Sequence, residues 1–325
     1  MDRRGGMIVR FWGVRGSYPV TGAGAVRYGG NTACVEVEAG SNTIILDAGT
    51  GIIPLGKELV RRARERGRKA SCVLLLSHLH FDHTQGFPFF APAFIPGASL
   101  AVFGPDFLGS APQTALEQIM QPPYFPVRLA DLNADVKFGA LRQTDLLLVK
   151  DNQVSMVSSG NIPDDPQTLT VRILHSYAHP GGVFHYRLDW QGASLVYATD
   201  TEGYVNGDRR LASFARGADL LIHDAQYTDD HYLGLVPGLS VTQGFGHSTV
   251  SMACQAARAA EVKMLALFHH APEYSDQQMD EISSRAGEFF HGAFAAAEGV
   301  ELHLGPSPSS PQRANLALLS HKPGL

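Results

Sequence analysis

The hexapeptide His78-Leu79-His80-Phe81-Asp82-His83 places three imidazoles and a carboxylate just after the apolar run Cys72 to Leu76. Val73 to Leu76 reads as a strand buried on both faces, because it is apolar throughout rather than alternating. That strand delivers the chain from a core directly into the histidine cluster. Imidazole nitrogen and carboxylate oxygen are good ligands for zinc, iron or manganese, so a metal site is the expected setting. His78 and His80 lie two apart and point the same way in extended backbone, which suits them to grip one ion. Asp82 and His83 follow where the strand gives way to a turn, and can aim at a second ion. A fortuitous surface cluster is the plain alternative.

The plan leading into this cluster occurs twice. Met7 to Trp12 reads as a strand, followed by the Gly-rich loop Gly13-Val14-Arg15-Gly16-Ser17. A hairpin of Cys34 to Glu38 and Thr43 to Leu46 ends at Asp47-Ala48-Gly49-Thr50-Gly51, and an amphipathic helix spans Ile52 to Arg66. Later, a strand from Leu169 to Leu174 precedes a loop with His179-Pro180-Gly181-Gly182. A hairpin of Val183 to Trp190 and Ser194 to Ala198 then ends at Thr199-Asp200-Thr201. A helix over Asp208 to Arg216 and the apolar strand Leu220 to Ile222 follow, running into His223-Asp224. The remainder reads as a helix near Thr249 to Glu261, a strand from Met264 to Phe268 ending in His269-His270, and a helix capped by Ser275 and Gln278. Two copies of one unit predict an α/β fold of two facing sheets with helices on the outer faces. We expect a single domain over 1–305, with the Pro-, Phe- and Gly-rich stretch 87–166 as an insertion or lid, and 306–325 as a loosely held tail.

Composition narrows the partners. A chain of 325 residues, 44% hydrophobic, is enough for a full core. No apolar run is long enough to span a bilayer, and the basic start Met1 to Gly6 is not followed by an apolar segment. The expectation is a cytoplasmic protein with no membrane partner; homodimerisation is left open. Three cysteines, Cys34, Cys72 and Cys254, with no C-x-x-C, argue against a disulfide scaffold and against thiolate zinc. The net charge of −5 comes without the basic stripe of a general nucleic-acid binder. The dense cationic run Arg61 to Lys69 reads as a solvated helix end.

The H-x-H-x-D-H motif of His78 to His83 resembles that of the metallo-β-lactamase superfamily. Further matches follow in that superfamily's order: His179 at a strand end, Asp200 in an acidic turn after a hairpin, and His269 after a late apolar strand. The resemblance runs from Met7 to Gly305 and implies an αββα sandwich of two mixed sheets. It implies His78, His80 and His179 on one divalent ion, Asp82, His83 and His269 on a second, and Asp200 bridging the two. His270 competes with His269 for its role. The ligand types favour zinc, with manganese or iron as alternatives. Two adjacent cations would acidify a shared water and polarise the bond to be cut.

Asp219 to Ala225, with Gly246-His247-Ser248-Thr249 later, resembles the ribonuclease Z and phosphodiesterase branch. The resemblance pairs Asp224 with His247, the imidazole protonating the leaving oxygen and the carboxylate orienting it. Ribonuclease Z usually carries glutamate where this chain has Asp224. Ser248 and Thr249 also read as helix caps, which offers His247 a purely local role. The tRNA-processing enzymes carry a long arm between the positions of His179 and Asp200. Here twenty-one positions separate them, room for a hairpin only, so tRNA is not the expected partner. The likeness is closer to compact cyclic-phosphate hydrolases and to bacterial proteins beginning F-W-G-x-R-G-S-x-P and carrying Y-G-G-N-T, matched by Phe11 to Pro19 and Tyr28 to Thr32.

Arg15 is expected to reach a substrate phosphate. Asp47, Asn31 and Thr32 are expected to orient metal-binding histidines from behind. Phe87, Phe89, Phe90, Tyr124 and Phe125 either wall a substrate pocket or pack a core. The leading expectation is a dinuclear metal phosphodiesterase acting on a small or cyclic nucleotide-like diester, with Asp82, Asp224 and His247 as its catalytic residues. A hydrolase of lactones, thioesters or other esters is one alternative, because fold does not choose chemistry. A non-catalytic module that senses a ligand through its metals is the other.

Overall fold

Asn42–Leu46 and Leu220–Asp224 are buried at every position, and such strands must lie between two packed layers. A computed structural model, which describes residues 6–107, 109–158, 165–204 and 207–305, supplies those layers as two facing sheets. The first sheet runs, in spatial order, β15 (Glu301–Leu304), β1 (Met7–Gly13), β2 (Cys34–Ala39), β3 (Asn42–Leu46), β4 (Ser71–Leu75), β5 (Ser99–Pro105) and β6 (Asp135–Leu141). The second runs β14 (Ala293–Ala295), β13 (Met264–Phe268), β12 (Leu220–Asp224), β11 (Ala193–Ala198), β10 (Val183–Trp190), β9 (Leu169–Ser176), β7 (Asp145–Lys150) and β8 (Gln153–Ser158). Each sheet changes hand at a hairpin. β2 and β3 are antiparallel while β3 to β6 are parallel, and β10 and β11 are antiparallel while β11 to β14 are parallel. The duplication read from the sequence is therefore a duplication of topology.

The inner faces share one core that includes Phe11, Val35, Leu46, Val73, Leu147, Tyr186, Tyr197 and Phe268. Helices α1 (Ile52–Glu65) and α2 (Pro112–Ile119) cover the first sheet, burying Ile52, Leu55 and Leu116 with Phe87 and Phe90. The second sheet is covered by α3 (Arg209–Phe214), the single turn α4 (Asp229–Tyr232), α5 (Val250–Ala259) and α6 (Asp276–Phe289), through Leu211, Tyr232, Cys254 and Met279. The α6 start carries the expected cap, Gln278 Oε1 accepting from the Ser275 amide at 2.9 Å. Helix, sheet, sheet and helix make the αββα sandwich.

The described residues of the stretch 87–166, expected as an insertion or lid, supply strands to both sheets. They hold β5 and β6, which extend the first sheet, and β7 and β8, which extend the second. Leu146 to Val149 are buried and pair with β9 in register, Leu147 opposite Val171. Part of the Pro- and Phe-rich sequence that suggested an insertion forms short 3-10 turns at 87–89 and 91–94. Phe87 and Phe90 are core residues beneath α1, whereas Phe89 and Phe125 meet edge to face at 5.4 Å and Tyr124 is exposed. The expected tail at 306–325 lies outside the described residues. No helix among the described residues is long and apolar enough to cross a membrane.

Phe268 is fully buried between Phe11 and Tyr197, at centroid separations of 6.2 and 5.7 Å, one residue before His269. Phe268→Ala is expected to cost about 3–5 kcal/mol through lost burial and a cavity. Urea unfolding checks this; a loss below about 1 kcal/mol would show that the inter-sheet core does not bear on stability as described.

Candidate metal centre

Parallel strands bring their carboxyl ends to one edge of a sheet, where open α/β sheets bind ligands. Here both sheets present that edge together. Asp47 follows β3, Ser77 and His78 follow β4, Asp200 follows β11, Asp224 ends β12, and His269 follows β13. Asp47, Asp200 and His269 have φ of 63°, 52° and 61°, left-handed values that turn the chain sharply out of its strand. Aspartate adopts this conformation readily; histidine does so less often, and surrounding structure must over-determine it.

Seven side chains converge at this edge. The ring nitrogens of His78, His80 and His179 lie within 4.8 Å of one another, with His179 Nε2 at 3.0 Å from His80 Nδ1. Beside them, His269 Nε2 is 3.2 Å from both Asp82 Oδ2 and His83 Nε2. Asp200 stands between the groups: Oδ1 is 3.7 Å from His78 Nε2, 3.8 Å from His179 Nε2 and 3.4 Å from His269 Nε2, and Oδ2 is 3.2 Å from His83 Nε2. Only His80 of this set is open to solvent. His270 turns away, its Nε2 donating to the Ala296 carbonyl at 2.9 Å, so the structure brings His269 and not His270 into the cluster.

The surrounding hydrogen bonds choose which nitrogen faces inward. Asp47 Oδ2 accepts from His83 Nδ1 at 2.7 Å and from the Tyr197 hydroxyl at 2.7 Å. Asp47 also accepts from the Ser77 amide and hydroxyl, at 2.7 and 2.8 Å. Because the Ser77 hydroxyl spends its hydrogen on Asp47, it is left to accept from His78 Nδ1 at 3.0 Å. His179 Nδ1 donates to the Gly246 carbonyl at 3.0 Å, and His269 Nδ1 to Gln226 Oε1 at 3.1 Å. Gln226 Nε2 in turn donates to the Ser17 hydroxyl, which sets the amide's orientation. Each of these four rings is thereby left with a bare Nε2 pointing into the cluster. His78 Nε2 is buried with no hydrogen-bond partner, and nitrogens face nitrogens at 3.0 and 3.2 Å. Converging lone pairs of this kind fit divalent cations, and the donor set fits a pair of them.

Electrostatics agree with that fit at His78, His80 and His179. Burial pushes the imidazoles of His78, His80 and His179 below the ordinary histidine value, keeping them neutral as ligands must be. Burial would do the same to His83, but Asp200, Asp82 and Asp47 together push it up. Burial opposes the charge on Asp82, which His83 and His269 nevertheless hold far below the usual carboxylate range.

A second constellation adjoins the first. Asp224 Oδ2 is 2.7 Å from His247 Nδ1, and Asp224 Oδ1 accepts from the Ser248 and Gln226 amides at 3.0 and 3.1 Å. The His247 ring stacks on His269 at 5.0 Å and lies edge-on to His179, also at 5.0 Å. Helix capping belongs to Thr249 instead, whose hydroxyl accepts from the Met252 amide. Glu202 holds the approach to His247 by accepting from the Gly244 and Gly246 amides at 2.8 and 2.9 Å.

Two expectations need correction. Arg15 cannot reach a substrate phosphate: it is fully buried, and its guanidinium donates to the carbonyls of Gly29, Ala271 and Tyr274 at 2.9, 3.0 and 2.8 Å. It satisfies loop carbonyls that water cannot reach. Asn31 does not touch a cluster histidine; its amide and side chain donate to Glu298 at 2.6 and 2.9 Å. Thr32 likewise exchanges hydrogen bonds with Thr50. Sequence reasoning missed Ser77, Tyr197, Gln226 and Glu202, and also Ser17, whose amide donates to Asp82 Oδ2 at 2.7 Å. Ser77 alone carried a signal, its place beside His78. Two glycines were also unread. A Cβ on Gly16 would lie 2.4 Å from the His269 ring, and one on Gly246 would lie 2.6 Å from His179 Nδ1.

The family described as Beta-lactamase superfamily domain matches residues 42–270, and the chain belongs to that family. Among relatives, it is 45% identical over 85 residues to ribonuclease Z of Thermococcus gammatolerans, covering 26% of this chain and 23% of that one. It is 26% identical over 228 residues to ribonuclease Z of Thermoplasma acidophilum, covering 62% of this chain and 70% of that one. The chain thus spans about a quarter of the length of the first of these relatives. The solved metallo-beta-lactamase fold protein YhfI from Bacillus subtilis is similar with a TM-score of 0.62 at 17% identity, over 92% of this chain and 100% of that one.

Two outcomes test the centre. Because burial holds the imidazoles of His78, His80 and His179 neutral, protons would compete with a metal there only at low pH. Binding of one zinc per chain, at the His78, His80 and His179 group, should persist in equilibrium dialysis as pH falls through about 6.5, where an ordinary imidazole protonates, and weaken only below it. Half-loss above that pH would contradict the burial argument. Separately, Gly16→Ala drives a methyl into the His269 ring, so bound metal counted by elemental analysis should fall from two per chain toward one; an unchanged count of two would overturn the assignment of His269.

Proposed function

We propose that this protein is a dinuclear metal-dependent hydrolase, and specifically a phosphodiesterase of small or nucleotide-like diesters. The observation that carries this reading is the Asp224–His247 pair, set against the ring of His269 beside seven converging ligand side chains. His78, His80 and His179 would hold one ion, Asp82, His83 and His269 the other, with Asp200 between them. Zinc suits this nitrogen-rich donor set, and manganese or iron are the alternatives. Divalent cations held there would neutralise the charge of the diester and acidify water for attack on phosphorus.

The chain's own residues then supply what metals do not. Cleavage adds water to phosphorus and breaks the bond to the leaving oxygen, which must take up a proton. Burial would strip His247 of its proton, but Asp224, with Asp200 and Asp82 beyond it, pushes its affinity for the proton up. A protonated His247 with Nδ1 engaged by Asp224 has Nε2–H free to donate to that oxygen. Asp224 acts through His247 and is a positioning residue. Asp82 is held by the Ser17 amide, and Asp47 holds His83 and Ser77 from behind.

The relatives named ribonuclease Z support phosphodiester chemistry, and they run against the expectation that tRNA is excluded as a substrate. The short link from His179 to Asp200, a tight hairpin of β10 and β11, still favours a small substrate in this reading. Metal-loaded protein should hydrolyse bis(p-nitrophenyl) phosphate. His80→Ala should abolish turnover, and His247→Ala should lower kcat about 10²–10⁴-fold, the usual worth of a general acid. Absence of turnover with zinc, manganese and iron alike would sink the proposal. Full activity of His247→Ala on lactones would favour an ester hydrolase instead.

A further inference from the structure

Close to the metal centre, three aromatic rings pack in a row and leave the last one in solvent. Phe107 and His175 lie nearly parallel, with centroids 4.6 Å apart and planes 16° from each other. Tyr177 lies 4.2 Å from His175, its plane tilted by 41°, and is 74% exposed, so its outer face is open to a ligand. Phe184 braces the stack edge-on, 5.0 Å from Phe107 and 5.3 Å from His175. His175 Nε2 is buried without a hydrogen-bond partner, so packing rather than polar contact holds this ring in place. Tyr177 is two residues before His179, no farther than about 7 Å along the chain. The hydrolytic reading makes no use of this stack.

A guanidinium is fixed beside it. Arg210 is exposed, and its Nη2 donates to the His175 carbonyl and to Gln143 Oε1, both at 3.1 Å. The cation is thereby parked at the foot of the aromatic stack rather than swinging freely, which lowers the entropy lost on binding an anion. An aromatic platform next to a held guanidinium matches the two halves of a nucleotide: bases stack on aromatic faces, and arginine grips phosphate.

We infer that Phe107, His175 and Tyr177, with Arg210, form a subsite for a nucleotide flanking the scissile diester, which makes the substrate a short, linear, single-stranded oligonucleotide rather than a cyclic nucleotide. This rests on the phosphodiesterase reading for its chemistry but is read independently by binding. A net charge of −5 without a basic stripe restricts the contact to a short segment.

The test uses zinc-loaded protein and a slowly cleaved probe, the phosphorothioate-linked thymidine dinucleotide with or without a 5′-phosphate. Calorimetric titration should show Tyr177→Ala weakening binding about tenfold, within the range for one lost base–aromatic stack, and Tyr177→Trp restoring it. Arg210→Ala should remove the advantage of the 5′-phosphorylated probe. In turnover, the kcat/KM ratio of thymidine 5′-(p-nitrophenyl phosphate) to methyl p-nitrophenyl phosphate should fall about tenfold in Tyr177→Ala, through KM. Equal binding by wild type and Tyr177→Ala, or an unchanged ratio, overturns the subsite. Tyr177-dependent binding without cleavage of any diester would sink the phosphodiesterase reading and leave the subsite standing. Cleavage with binding indifferent to Tyr177 would do the reverse.

Discussion

Buried charge at one edge of the sandwich is the constraint on which the rest depends. Asp47, Asp82, Asp200 and Asp224 are all buried there, together with His78, His83, His179, His247 and His269. Taking an ion out of water costs several kcal/mol unless partners replace the lost hydration. The structure meets that cost in two ways. Carboxylates at the rear accept hydrogen bonds from backbone, serine and tyrosine, as Asp47 does from Ser77 and Tyr197. Those at the front face imidazoles, where divalent cations would complete the balance. Because ligand-binding free energy is also folding free energy, metal bound there would stabilise this edge.

Duplicated topology gives the two halves equivalent corners that do different work. Asp47 and Asp200 both follow the second strand of a hairpin, and both adopt left-handed backbone. Asp47 sits behind the histidines and holds Ser77 and His83, whereas Asp200 stands among their bare nitrogens. The same corner serves once to orient the histidines and once to stand among their nitrogens. In the two-sheet arrangement neither half contains the site, since His78, His80 and His83 come from the first and His179, Asp200 and His269 from the second.

Around this centre the polar architecture is layered. Gln226 ties His269 to Ser17, Ser17 ties back to Asp82, and the Gly246 carbonyl ties His179 to the segment bearing His247. Glycine at 16 and 246 leaves the space these rings occupy. An error of about half an ångström in any of these supports would propagate to the ring nitrogens of the cluster.

Much of this was written in the chain. Apolar runs, hairpin turns and acidic corners recur in local order, so strand positions, the duplicated plan and the H-x-H-x-D-H cluster were legible, as was the pairing of Asp224 with His247. Local pattern also misled. A Pro- and Phe-rich composition read 87–166 as an insertion or lid, though its described strands pair with both sheets, and Arg15 looked like a phosphate ligand because its burial comes in part from loops more than 250 residues on. Which of His269 and His270 turns inward, which nitrogen each ring bares, and how Gln226, Glu202 and two glycines support them were decided only by tertiary structure. Those choices depend on distances between segments remote in the chain, and no periodicity within a segment encodes a distance to another.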